Sequence, residues 1–369
     1  ADNNPHLKIR ERERFVSADF YSHIFEALSS VAYEDVDIIG EHEKYLGKTV
    51  PEIIGDYVNR NGQEGLDLSE LYHSMPSLFT IRDDKRVLLS IPGLIGDSGR
   101  ANNHLFFTEM LSDTSIFEAD RSTLYSLLRS RALHRFTENP IMSSDGHFMA
   151  THFAMDNRRL LPPFFPMGSG VDSSYMSIIH YVYNGTPISY LPREFIHAPP
   201  EPRAMYDSGA DSFRARVNDH LGRIVDHLRR KTALFSFSPS ERMVMLGKEL
   251  IDLSQASAKE LSCFLRDLTE MHYSQYAQYI EEMYSLTPSL PQHLEEAYRF
   301  HIDALHEYLV TPEAAEPADL VSPNERKTAL FGEMLAAYGR LLCLWPHFFE
   351  SARRASHDGL CMTRSINPE

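Results

Sequence analysis

The chain has 369 residues, 43% of them hydrophobic and 24% charged, with 36 basic against 52 acidic side chains and a formal charge of −16. A chain of this length divides into two domains of ordinary size, and its composition excludes a disordered, collagen-like or disulfide-rich polypeptide. The acidic excess offers no basic face to replace phosphate counterions, so nucleic acid is not expected as a partner. Cys263, Cys343 and Cys361 lie far apart without a Cys-x-x-Cys pair, which fits a reducing compartment. No apolar run reaches the length of a bilayer span, and the polar start ADNNPHLKIRERERF lacks a secretory h-region, so the expected location is the cytoplasm.

In chain order, SADFYSHIFEALSSVAY and LSELYHSMPSLF carry apolar residues at helical spacing, while KRVLLSIPGLIG and GHFMATHFAM read as strands bounded by turn residues. The stretch from Leu160 to Arg203 alternates proline turns and glycines around one helix that begins near Asp172, a loop-dense pattern that usually builds a site. After residue 205 the periodicity is helical throughout, with segments at about 213–231, 239–255, 257–285, 291–310 and 323–355. Their Ser/Thr-Pro connections and acidic first turns are helix punctuation. The expected architecture is an α/β part over residues 1–205, a small mixed sheet with helices, followed by an all-α helical domain over 206–369.

Eighteen histidines raise the question of a metal or haem. His220 and His227 lie seven apart on one helix face, and His301 and His306 lie five apart, about 140° round theirs. In a bundle such residues can ligate a cofactor, but ordinary core or surface histidines explain them better. His357 and Cys361 are a weaker haem candidate, without the Cys-x-x-Cys-His attachment motif. No nucleophile elbow, P-loop or dinucleotide fingerprint occurs; Gly168-Ser169-Gly170 lacks the flanking residues of an elbow.

Four polar positions remain in the first part. Asp97 closes a strand and either bonds its own backbone in a turn or faces a ligand. Asp156, Arg158 and Arg159 follow the second strand and read as a solvated ion pair or as an anion clamp. Asp172 belongs at a helix N-terminus, as a cap or as a reactive carboxylate. His197, in FIHAPP, is presented by a stiff segment, as a ligand or as a hydrogen-bonded structural histidine.

The order of EDVDIIGEHEKYLG, VLLSIPGLIGDSG, AMDNRRLLPPFFPMGSGVDSSYMSII, YLPREFIHAPPEPR and GRLLCLWPHFFESARRASHDG resembles the later part of bacterial glycosyltransferase-like proteins of the GT-A type with a helical second domain. The resemblance runs from about residue 15 onward and implies a metal-dependent transfer, with Mn or Mg, from a nucleotide-sugar to an acceptor. It implies Asp172 as the general base, His197 as a late metal ligand, Asp97 as a lining residue of the acceptor cleft, and Asp2 as the worn end of the family's aspartate-rich metal motif. Arg158 and Arg159 would steady the diphosphate, which is an inference from charge and not a family feature. The nucleotide-binding half would come from a segment before Ala1 or from a partner chain. Two other readings stay open: a non-catalytic module that docks a peptide or protein, and a haem-dependent oxygenase or hydroxylase.

Overall fold

The computed structural model describes residues 7–10, 17–21, 24–29, 35–62, 66–67, 85–97, 120–143, 153–199, 201, 213–232, 237–285 and 291–359. Asp2 and Cys361, and the expected helix over LSELYHSMPSLF, lie outside them.

The sheet comprises β1 (Leu7–Arg10), β2 (Ser17–Tyr21), β3 (Leu66–Asp67), β4 (Leu89–Asp97), β5 (Ala132–Phe136), β6 (Ile141–Ser143), β7 (Ala154–Met155) and β8 (Ile188–His197). Their order is β2-β5-β4-β8-β6-β1-β3, with β7 paired to β4. At the centre β4 and β8 run parallel, whereas β5 is antiparallel to β4 and β2 antiparallel to β5. Helices α1 (Ile24–Ser29), α2 (Ile38–Glu43), α3 (Val50–Asn61), α4 (Arg121–Arg129) and α5 (Val171–Val182) intersperse these strands.

The segment SADFYSHIFEALSSVAY, expected as one helix, instead begins as a strand. Ser17–Tyr21 forms edge strand β2, and only Ile24–Ser29 is described as helix. SADFY alternates polar and apolar residues over five positions, a period of two that the longer helical reading absorbed. Of the expected strand GHFMATHFAM, Ala154–Met155 is paired and the residues from Gly146 to His152 lie outside the described ones.

Past residue 213 the described elements are helices: α6 (Val217–Thr232), α7 (Pro239–Ser254), α8 (Ala258–Ser285), α9 (Gln292–Leu309) and α10 (Asn324–His357), with a short 3-10 turn at Pro312–Ala315. Their starts obey local chemistry. Ser238 accepts from the Glu241 amide while Glu241 receives the Ser238 amide, a capping box with Pro239 in the first turn. Ser257 and Glu260 repeat the exchange at α8.

The largest apolar core spans both parts of the chain. Leu89 and Ile91 of β4 and Ile188 and Tyr190 of β8 share one cluster with Ile178 and Ile179 of α5, Leu221 and Ile224 of α6, and Leu335, Tyr338 and Leu342 of α10. The irregular segment Leu160–Phe165 is held inside this junction by aromatic donors. Tyr183 Oη donates to the Leu160 carbonyl at 2.9 Å, Trp345 Nε1 to that of Leu161 at 2.7 Å, and Tyr338 Oη to that of Pro163 at 2.7 Å.

Helices α7 and α10 cross at Gly247 and Gly339. A Cβ on Gly339 would sit 2.5 Å from the Gly247 carbonyl oxygen and 2.9 Å from Ile251 Cγ1, whereas one on Gly332 would meet nothing closer than Leu261 Cδ2 at 3.5 Å. The two glycines of α10 therefore respond oppositely to alanine. Gly339→Ala should lower the unfolding free energy measured in urea by the roughly 1–3 kcal/mol of an overpacked contact. Gly332→Ala should raise it by up to about 1 kcal/mol through helix propensity. Equal responses would mean the helices do not approach through their glycines.

Candidate functional site

Because β4 and β8 are parallel neighbours, they deliver their carboxyl ends side by side. Asp97 is 5% exposed at the end of β4, and its Oδ1 accepts from Arg131 Nε at 3.0 Å. Arg131 sits just before β5, whose first residue Ala132 is the register partner of Asp97. His197 closes β8 opposite Gly96, whose φ of +118° turns the strand end in a conformation that favours glycine. The His197 Nδ1 lies 2.6 Å from the Asp97 main-chain oxygen. A carbonyl oxygen only accepts, so Nδ1 carries the proton and Nε2 is the nitrogen left to face a ligand. His197 thus owes its fixed position to a strand and a hydrogen bond, where FIHAPP had suggested proline stiffness.

The strands bend before they reach this end. Pro92 pairs with Leu191 but Gly93 pairs with Glu194, so Pro192 and Arg193 bulge out of the ladder. Proline has no N–H to donate, and a proline on each strand places the interruption here.

Asp156, Arg158 and Arg159 occupy the other end of β4. The Asp156 amide donates to the Leu88 carbonyl, and Arg158 Nε meets Asp156 Oδ1 at 2.5 Å. Arg158 Nη2 also donates to the Leu46 carbonyl at 3.3 Å, so the pair staples the turn after β7 to the loop after α2. Arg159 is exposed. Eight residues of strand separate Leu89 from Asp97, roughly 25 Å, so one small ligand does not meet both Asp97 and Arg158.

Asp172 stands in the first turn of α5, but the capping position is Gly170 in a left-handed conformation with φ +77°. The loop before it is pinned from α6: buried Asn218 donates to the carbonyls of Met167 and Ser169 and accepts from Ser174 Oγ. Asp172 and Asp97 are therefore positioned by different elements.

The histidines of the helical part are structural in their surroundings. His301 Nε2 is hydrogen-bonded to Tyr276 Oη at 2.9 Å inside the core, and His227 packs edge-on against Phe264. His220 is fully buried, and burial pushes its imidazole down to about 3. His357, at the end of α10, has a side chain 91% exposed. Glu194 and His197, an acid and a histidine three apart, lie on a strand and so project to opposite faces. Among the described residues no three His, Cys, Asp or Glu side chains converge as a metal-ligand set, and no helix is long and apolar enough to cross a membrane. Arg131 and His134 escaped the sequence reading because RALHRF is a short strand without turn or motif signals.

Comparison of the chain with protein-family models, with curated proteins and with solved structures gives no match.

The buried His220 makes a pH prediction. In the unfolded chain a histidine titrates near about 6.5; in the fold His220 stays neutral down to about 3. The unfolded chain takes up that proton first, so the contribution of His220 to stability is complete above about pH 6.5 and is lost as pH falls toward 3. In urea unfolding followed from pH 7 to pH 4, the wild type should lose stability more steeply than His220→Met by a few kcal/mol. Parallel curves would show that His220 is not held neutral.

Proposed function

We propose that the chain takes part in glycosyl transfer from a nucleotide-sugar, as a GT-A-like unit that binds and activates the acceptor. The observation that carries this reading is the polar end shared by β4 and β8, where Asp97, Arg131 and His197 meet. Ligands of open α/β sheets gather outside the carboxyl ends of parallel strands. In this reading Asp97 lines the acceptor cleft, and the diphosphate is steadied by Arg131 beside it, because Arg158 and Asp156 stand at the opposite strand end. Asp172 takes the proton of the acceptor hydroxyl while that oxygen attacks the sugar carbon, and the bond to the diphosphate breaks with its electron pair on the leaving group. A divalent ion, when bound, would be held by His197 Nε2 together with ligands outside the described residues, and would neutralise the departing diphosphate.

A panel of nucleotide-sugars, with and without Mn²⁺, tests the binding. A binding donor at 100 times its dissociation constant adds about 2.7 kcal/mol of stability, and His197→Ala should weaken any Mn²⁺-dependent part. For the transfer itself, Asp172→Asn should lower turnover by about 10²–10⁴ while the melting temperature stays close to that of the wild type. Retention of more than about a tenth of the turnover would remove Asp172 from the chemistry.

A second reading is supported by Leu344 and Phe348, which stand 54% and 50% exposed on α10. They favour a module that docks a peptide or protein without catalysis, and it would gain if no nucleotide-sugar alters the melting temperature.

A further inference from the structure

The helical part holds a cleft built without any residue of the sheet site. It has a volume of about 260 Å³ and lies between the end of α7, the start of α8 and one face of α10. Thr328, Gly332 and Ala336 recur at four-residue intervals, which stacks them on that face. Helices α7 and α10 touch at Gly247 and Gly339 and open toward this end: a Cβ on Gly332 would meet nothing nearer than Leu261 Cδ2 at 3.5 Å and the Ser254 carbonyl oxygen at 3.8 Å. Small residues alone would make only a hollow. Thr328 adds a polar group, since it lines the cleft and is 3% exposed. A helical threonine commonly returns its hydroxyl to the carbonyl one turn back. Among the described residues the Thr328 hydroxyl has no hydrogen-bond partner, and a buried hydroxyl in that state costs stability that a ligand donor or acceptor would recover.

The other polar groups of the cleft are acceptors. At the end of α7 the amides of Gln255 and Ala256 donate to the carbonyls of Asp252 and Leu253, and Ser254 Oγ donates to that of Ile251 at 2.6 Å. The carbonyl of Ser254 itself is the one turned to Gly332, and it stands at the negative end of its helix. Glu333 is the one charged residue among those lining the cleft, and it is exposed at the rim. The amides that open α8 offer no opposing donors, because that of Ser257 is taken by the Glu260 carboxylate and that of Glu260 by Ser257 Oγ. A carboxylate, a helix-end carbonyl and a hydroxyl beside Leu261 and Ala336 match a cation with several N–H donors on a short apolar stem. We infer that this cleft binds a small alkylammonium ligand, with the ammonium among Glu333, the Ser254 carbonyl and Thr328 Oγ1 and the stem against Leu261 and Ala336. The site is independent of the proposed glycosyl transfer.

The test titrates the whole chain with butylammonium, with 1-butanol and with butyrate at neutral pH and low salt, following the amides of Gly332 and Ala336 by NMR. Butylammonium should shift both and saturate at about millimolar concentration, the range expected of so small a ligand. Butanol, which has the stem without the charge, should bind about two- to fivefold more weakly, the scale of one exposed ion pair, and butyrate should not saturate. Glu333→Gln should bring butylammonium to the level of butanol and leave butanol unchanged, whereas Thr328→Val, which keeps the shape and removes the hydroxyl, should weaken both. Gly332→Leu should abolish binding by filling the cleft, and Ala336→Met supplies the same plug if that variant does not fold. Absence of butylammonium binding, equal binding of butylammonium and butyrate, an ammonium preference that survives Glu333→Gln, or binding that survives the plug would each overturn the proposal.

Discussion

A buried carbonyl must find a donor, and in this protein that requirement joins the sheet to the helices. The segment Leu160–Phe165 contains Pro162 and Pro163, which cannot continue a ladder, and it lies where β4, α5 and α10 meet. Its carbonyls are satisfied from outside, by the hydroxyls of Tyr183 and Tyr338 and the indole of Trp345. Burial raises the Tyr183 hydroxyl to about 12 and Tyr338 further still, which keeps both as donors at every physiological pH. Beyond residue 205 the same device recurs, with Tyr273 donating to the Phe213 carbonyl at 2.7 Å and Tyr308 accepting the Ala215 amide at 3.2 Å. Aromatic side chains with one polar tip suit this task, since the ring fills the core while the tip completes an irregular backbone.

With the junction secured, the central parallel pair can tolerate an irregularity. The bulge at Pro92–Gly93 against Pro192–Arg193 interrupts the ladder in mid-sheet, and it also sets which residues of β8 face which residues of β4. Beyond it, Glu194 falls opposite a glycine and His197 opposite Gly96. Without the two extra residues the register of β8 would shift, and neither side chain would reach its present neighbour. Bulges often re-aim side chains beside a site, and here one bulge sets the positions of both Glu194 and the histidine at the strand end.

The polar groups of the sheet differ in kind from those of the helical part. Asp97 with Arg131, and His134 between Asp19 and Glu194, keep charge-bearing atoms near strand ends or a partly exposed face. His220 and His301 are enclosed by apolar side chains and aromatic rings. A neutral imidazole is a tolerable core residue, whereas a charged one in the same place is not. The location of the histidines therefore separates His134, which lies beside two carboxylates, from His220 and His301, which pack among apolar and aromatic side chains.

Amino-acid order by itself determined the five long helices, because each carries a 3.6-residue apolar period over many turns and is punctuated by residues such as Ser238-Pro239 and Pro323 that act locally. It also determined the helix after Gly170 and the strand through Leu89. The short strands were decided by tertiary structure. SADFY, RALHRF and ISYLPREFIH are five to ten residues long, and a strand of that length is stabilised by its neighbours and not by its own period. For the same reason Asp97 and His197 were legible as polar strand ends but their meeting was not. It depends on β4 and β8 lying side by side, a hundred residues apart in sequence, in a register set by the bulge. His134 carried no local signal at all, since the carboxylates beside it are supplied by two other strands.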